Sequence, residues 1–148
     1  MVTPPLYAAV LTATQQLFPA VYAHKTTTLP ERYRKFECLT WVMSYVLYQL
    51  KQQGDTGAGQ AQLLVECMLD DLADNLREQG VSDMRVGPEL RKLAAAFNGR
   101  AQRYQPLWRP TSQAAMARLM ATRLSIEATA AQVLIKRLRA MTFPLPAG

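Results

Sequence analysis

The run Leu76-Arg77-Glu78-Gln79-Gly80-Val81-Ser82-Asp83, followed by Val86-Gly87-Pro88-Glu89, marks where one helix stops and another starts. Gly80 stands where a helix needs a left-handed residue to satisfy its last carbonyls, and Val81 supplies the accompanying apolar contact. Pro88 falls at a first-turn position, where its missing N–H costs nothing. Along the rest of the chain apolar residues recur at helical spacing and strand signals are nearly absent. The pattern therefore restricts the chain to an all-α fold.

The first helix is predicted from about Pro5 to Tyr22, with Leu6, Val10, Leu17, Phe18 and Val21 on one side. Thr26-Thr27-Thr28-Leu29-Pro30 is a connector in which Thr28 can cap the next helix. That second helix spans about Pro30 to Gln53, with a stripe of Phe36, Leu39, Met43, Val46, Leu47 and Leu50, and Gly54-Asp55-Thr56-Gly57 ends it. The third runs from about Ala58 to Gln79, and the fourth starts near Pro88 and uses Leu90, Leu93, Phe97, Ala101 and Tyr104. Gly99 lies inside the fourth helix, where glycine costs about 1 kcal/mol relative to alanine, so a close helix crossing or a kink is expected there. Pro106 and Pro110 bracket Leu107-Trp108-Arg109, and a long last helix of about residues 112–142 precedes a frayed tail, Phe143-Pro144-Leu145-Pro146. The expectation is a single-domain helical bundle of five or six helices over residues 1–148.

At 148 residues such a chain can bury roughly 68–70% of its unfolded surface and needs no metal or disulfide to fold. Cys38 and Cys67, the only cysteines, sit in apolar helical patterns and read as reduced core residues. They and the single histidine, His24, do not suffice for a structural zinc site. No apolar run reaches the length of about 18 residues that a membrane-spanning helix requires. The N-terminus carries neither a secretory signal pattern nor early arginines. A cytoplasmic location is expected, peripheral to the inner membrane in a bacterium or on the matrix side in an organelle.

Charge is uneven. The third helix carries Glu66, Asp70, Asp71, Asp74 and Glu78 against Arg77 alone, yet the whole chain is +6. The last helix holds Arg118, Arg123, Lys136, Arg137 and Arg139 against Glu127. Such a field draws anionic partners: phospholipid head groups, RNA or acidic protein surface. Solvated helix faces are the plainer explanation. The basic stretches do not interleave with aromatics in a nucleic-acid-binding motif, so base-specific reading of DNA or RNA is not expected. The last helix also combines an apolar stripe with flanking cations, which suits an interfacial helix as well as an ordinary bundle helix.

Glu66, Asp70 and Asp74 share one helical face, but a di-iron bundle wants Glu-x-x-His pairs from two helices, and His24 has no such partner. No Gly-x-Ser-x-Gly elbow and no glycine-rich phosphate loop is present. The chain reads as a non-enzyme with no cofactor. Trp41, Tyr45 and Tyr48 form a large aromatic ridge partly off the apolar stripe of the second helix. Exposed, such a ridge would bind protein.

The order Leu76-Arg77-Glu78, Gly80-Val81, Asp83, then Phe97-Asn98-Gly99-Arg100 and Tyr104, resembles the ubiquinol–cytochrome c reductase assembly chaperone family. Leu6-Tyr7, Tyr22 and Lys35-Phe36-Glu37 extend the likeness over about residues 6–108, with a weaker match beyond. The chain departs from the family where a histidine is usual, reading Leu39-Thr40-Trp41, and where a tyrosine often precedes Gly-Arg, reading Asn98. The resemblance implies a non-catalytic assembly chaperone that binds newly made cytochrome b. Its client surface would comprise Trp41, Tyr45, Arg100, Tyr104 and Trp108, in a groove lined by methionine and aromatics. Arg118, Arg123, Lys136, Arg137 and Arg139 would meet an anionic membrane or another anionic partner. A second small assembly factor and the ribosome are the other partners it brings in. Arg77, Glu78, Gly80, Asp83 and Gly99 would be structural, with an Arg–carboxylate pair across the turn; a polar client contact is the competing role. The alternative from a different class is a peripheral membrane module that binds lipid or a small apolar ligand.

Overall fold

The computed structural model describes residues 4–23 and 28–146, with the backbone alone at residue 29. His24, and Thr26 and Thr27 of the connector, lie outside the described residues. Among those described there is no strand, and seven α-helices follow one another: α1 (Pro5–Leu17), α2 (Pro19–Tyr22), α3 (Leu29–Lys51), α4 (Gly54–Glu78), α5 (Asp83–Tyr104), α6 (Gln113–Leu124) and α7 (Ala128–Ala140). Two short 3-10 turns, Gln105–Trp108 and Pro110–Ser112, join α5 to α6. The all-α expectation holds, and the count of five or six is corrected to seven, because two helices expected to be continuous are broken. Phe18 leaves helical geometry (φ −126°, ψ 57°) ahead of Pro19, since a proline ring disfavours the helical conformation of the residue before it. The expected long last helix is divided into α6 and α7: α6 ends at Leu124 on Ser125, which takes a left-handed φ of 55°.

α3 organises the molecule. Cys38 through Leu47 are buried without interruption, and a helix that is apolar nearly all round belongs at a centre. α1, α4, α5, the first 3-10 turn and α6 pack around it. Its start carries the expected cap: Thr28 Oγ1 accepts from the Glu31 N–H while a Glu31 carboxylate oxygen accepts from the Thr28 N–H. One core joins residues from α1, α3, α4, α5, α6 and α7.

The link from α3 to α4 is short, and Gly57 makes it fit. A Cβ there would lie 1.7 Å from the Leu50 carbonyl oxygen, so the first turn of α4 presses directly on the α3 backbone. α4 thus begins at Gly54, four residues before the expected Ala58. α5 begins at Asp83 instead of near Pro88. Pro88 lies inside the helix with its side chain exposed, on the same face as the exposed Met84, where water can satisfy the carbonyl that lost its partner.

α7 returns onto the bundle. Ala131, Ile135 and Leu138 are fully buried, and α7 packs along α6 and against α1. The expected frayed tail is corrected too: Phe143 is buried and its ring lies 6.3 Å from Tyr45.

Candidate functional site

Arg100, Tyr104 and Trp108 recur every four residues, and the structure sets Arg100 against Glu37 and Trp108 against Ser44 of α3, with Tyr104, between them in sequence, buried. Arg100 forms an ion pair with Glu37, and its guanidinium sits 6.0 Å from the Phe36 ring centre. Trp108 Nε1 donates to Ser44 Oγ at 2.8 Å, and the Ser44 hydroxyl donates to the Trp41 carbonyl at 2.6 Å. Trp41 and Trp108 rings are 5.5 Å apart, Tyr45 and Trp108 rings 4.8 Å, and Phe18 meets Trp41 edge-on at 5.8 Å. Burial raises the Tyr104 hydroxyl pKa, and the Glu37 charge raises it further against Arg123 and Arg100. The two stretches that carried the family likeness, Lys35-Phe36-Glu37 and Gly99-Arg100 with Tyr104, therefore meet across one helix interface.

The residues expected to form the aromatic client surface are packed inside the bundle. Trp41 and Trp108 are 0% exposed, Tyr104 1% and Tyr45 6%; only Tyr48 of the ridge is half-buried. The reason is that α3 is enclosed on all sides over residues 38–47, so residues off its main stripe there meet other helices. Arg100 is likewise turned inward to Glu37. As seated here, these side chains hold α5 on α3 and present little surface to a partner.

Gly80 takes the left-handed conformation its place in the turn calls for, with φ +87°. Its N–H donates to the Arg77 carbonyl and that of Val81 to the Leu76 carbonyl, while Val81 packs over Leu76 and Val86. An Arg77–Asp83 pair does span the turn, at 3.9 Å and with both side chains exposed, and Arg77 also reaches Asp74 at 3.3 Å; such pairs add little stability. Glu78 is exposed. Of the two roles expected of Gly99, the close helix crossing is not found: a Cβ there would meet nothing within 4 Å.

The basic residues of the last two helices divide. Arg118, Lys136 and Arg137 are exposed, and Arg137 donates to the Gln16 carbonyl at 3.3 Å. Arg123 and Arg139 are half-buried. Arg139 donates to the Trp108 carbonyl at 2.7 Å and lies 5.3 Å from the Trp108 ring centre, which fastens α7 to the 3-10 turn. A joint surface of all five is therefore not formed.

What the structure adds is a groove of about 320 Å³ where α1 to α5 converge. Its apolar lining comes from Leu11 of α1, Phe36 and Leu39 of α3, Leu72 and Leu76 of α4, and Leu93 of α5. Arg32 and Lys35 stand on the α3 wall, Asp71 and Glu89 on the α4 and α5 walls, and Tyr22 and Tyr33 complete the rim. Tyr7 donates to Asp71 Oδ2 at 2.7 Å, and the Lys35 ammonium lies 5.2 Å from the Tyr22 ring centre. The lining is leucine-rich and contains no methionine; Met43, Met68, Met116 and Met120 fill the core instead. None of the five expected client residues lines the groove. Tyr33, 53% exposed, was the available signal: an aromatic in the first turns of a helix, off its apolar stripe. Among the described residues no cluster of His, Cys, Asp or Glu could hold a metal ion.

Fold and groove together define an all-α bundle built around a buried central helix, with a groove where α1 to α5 converge. The family follows from comparison: the family model described as ubiquinol–cytochrome C chaperone matches residues 30–142. The chain belongs to that family. The match takes in α3 from its second residue through α7, so it reaches further toward the C-terminus than the likeness read from motifs and starts later. No curated protein and no solved structure matches the chain.

Proposed function

We propose that the protein is a non-catalytic chaperone that binds newly made cytochrome b during assembly of ubiquinol–cytochrome c reductase. The observation that carries this is the family match over residues 30–142, which ties the chain to the assembly of that complex. Cytochrome b is the reading for the client because a highly apolar membrane subunit most needs shielding before its partners arrive. Exposed Arg118, Lys136 and Arg137 would hold the chaperone beside anionic lipid where such a client is inserted. No helix among the described residues is long and apolar enough to cross a membrane, so attachment through those helices would be peripheral. A second small assembly factor and the ribosome belong to the same proposal as neighbours on the client's route.

Deleting the gene and resolving native membrane complexes tests the role. The expected result is loss of assembled ubiquinol–cytochrome c reductase with the other respiratory complexes retained, restored by the wild-type chain. Normal amounts of the reductase in the deletion strain would overturn it.

A further inference from the structure

We infer that the groove between α3, α4 and α5 seats an apolar helical segment of a partner polypeptide, with a carboxylate of that segment set against Arg32. The floor is leucine and phenylalanine, which suits the i, i+3, i+4 side chains of a docked helix. Arg32 lines the groove and forms no ion pair with another described residue, so a carboxylate carried by an occupant can pair with its guanidinium. The opposite walls carry Asp71 and Glu89, so the site is bipolar. An anionic lipid head group would be repelled by those walls, whereas a polypeptide can carry both signs. The volume of about 320 Å³ lies at the low end of small-molecule sites, about 300–1,000 Å³, and fits a few side chains better than a whole amphiphile. The inference rests on the assembly-chaperone reading only for where the partner is sought.

The test uses the full chain with a benzophenone side chain placed at Tyr33, on the rim, and in a second protein at Val133, which is exposed on α7. Each is photolysed with membranes that are assembling the reductase, and cross-linked peptides are identified by mass spectrometry. From Tyr33 the expected product is an apolar segment of a reductase subunit containing Asp or Glu. Its yield should fall roughly tenfold in Arg32→Glu, and a Lys at the mapped acidic position should restore it. Cross-links from Val133 should not change, which with an unaltered melting curve shows that Arg32→Glu still folds. Cross-linking to phospholipid alone, or a polypeptide yield insensitive to Arg32→Glu, would overturn the inference. Co-purification of cytochrome b is scored in the same samples. If it persists while Tyr33 captures no acidic apolar segment, the groove assignment fails and the chaperone reading stands. If no reductase subunit co-purifies and the segment captured from Tyr33 in an Arg32-dependent way belongs to another protein, the groove assignment stands and the chaperone reading fails.

Discussion

The Glu37–Arg100 pair shows most plainly what single residues do here. With both side chains largely buried, removing one partner leaves the other charged and dry, while removing both need not cost much. Arg100→Ala should destabilise the fold by about 3 kcal/mol, and Glu37→Gln with Arg100→Gln should recover part of that loss; urea denaturation of the wild-type chain and the two variants measures it. Cys38 gives a pH prediction. Burial pushes its thiol up to about 12 from an ordinary value of 9.0, and Tyr7, Tyr22 and Tyr104 are raised by burial in the same sense. The folded state therefore favours the neutral form of each group. Stability from these groups is complete below pH 9 and declines as pH climbs toward 12, because the unfolded chain releases its protons first. Thermal unfolding scans between pH 8 and 11 should show a falling midpoint; a midpoint that rises over that range would contradict the assignment.

At the scale of elements, the helix junctions divide into those written in local chemistry and those imposed by packing. Gly80 and the Thr28 cap were legible because the turn itself demands those residue types. The sequence places Gly57 at a helix stop, yet its role is to let α4 touch the α3 backbone, a contact visible only in three dimensions. Gly57→Ala should cost about 3 kcal/mol through overpacking, whereas Gly99→Ala, in open space on α5, should stabilise by about 0.5–1 kcal/mol; paired unfolding curves of the two variants check both signs. The break at Ser125 carries no glycine or proline, so periodicity ran through it. The ridge of Trp41 and Tyr45 was misplaced for a related reason: a stripe shows which face is buried first, not that a central helix is covered on every face.

For the whole molecule, the all-α class and the family were legible in sequence, because periodicity and motif order survive in one dimension. The groove was not, since Leu11, Phe36, Leu72 and Leu93 come from four helices and only the bundle brings them together. The long-range charge is a property of the same scale. At +6 overall, the protein should bind vesicles of anionic phospholipid at low ionic strength and leave them as salt shortens the Debye length to about 3 Å near 1 M; charge-neutralising Arg118, Lys136 and Arg137 together should abolish the effect in a flotation assay. Binding that persists in high salt would instead favour a membrane module with an apolar ligand. The central claim is tested most directly by pulse-labelling new membrane proteins and isolating the tagged chaperone at successive times. Labelled cytochrome b should be present at the earliest times and leave as the reductase matures; its absence throughout, with the chaperone intact and the reductase assembling, would contradict the account.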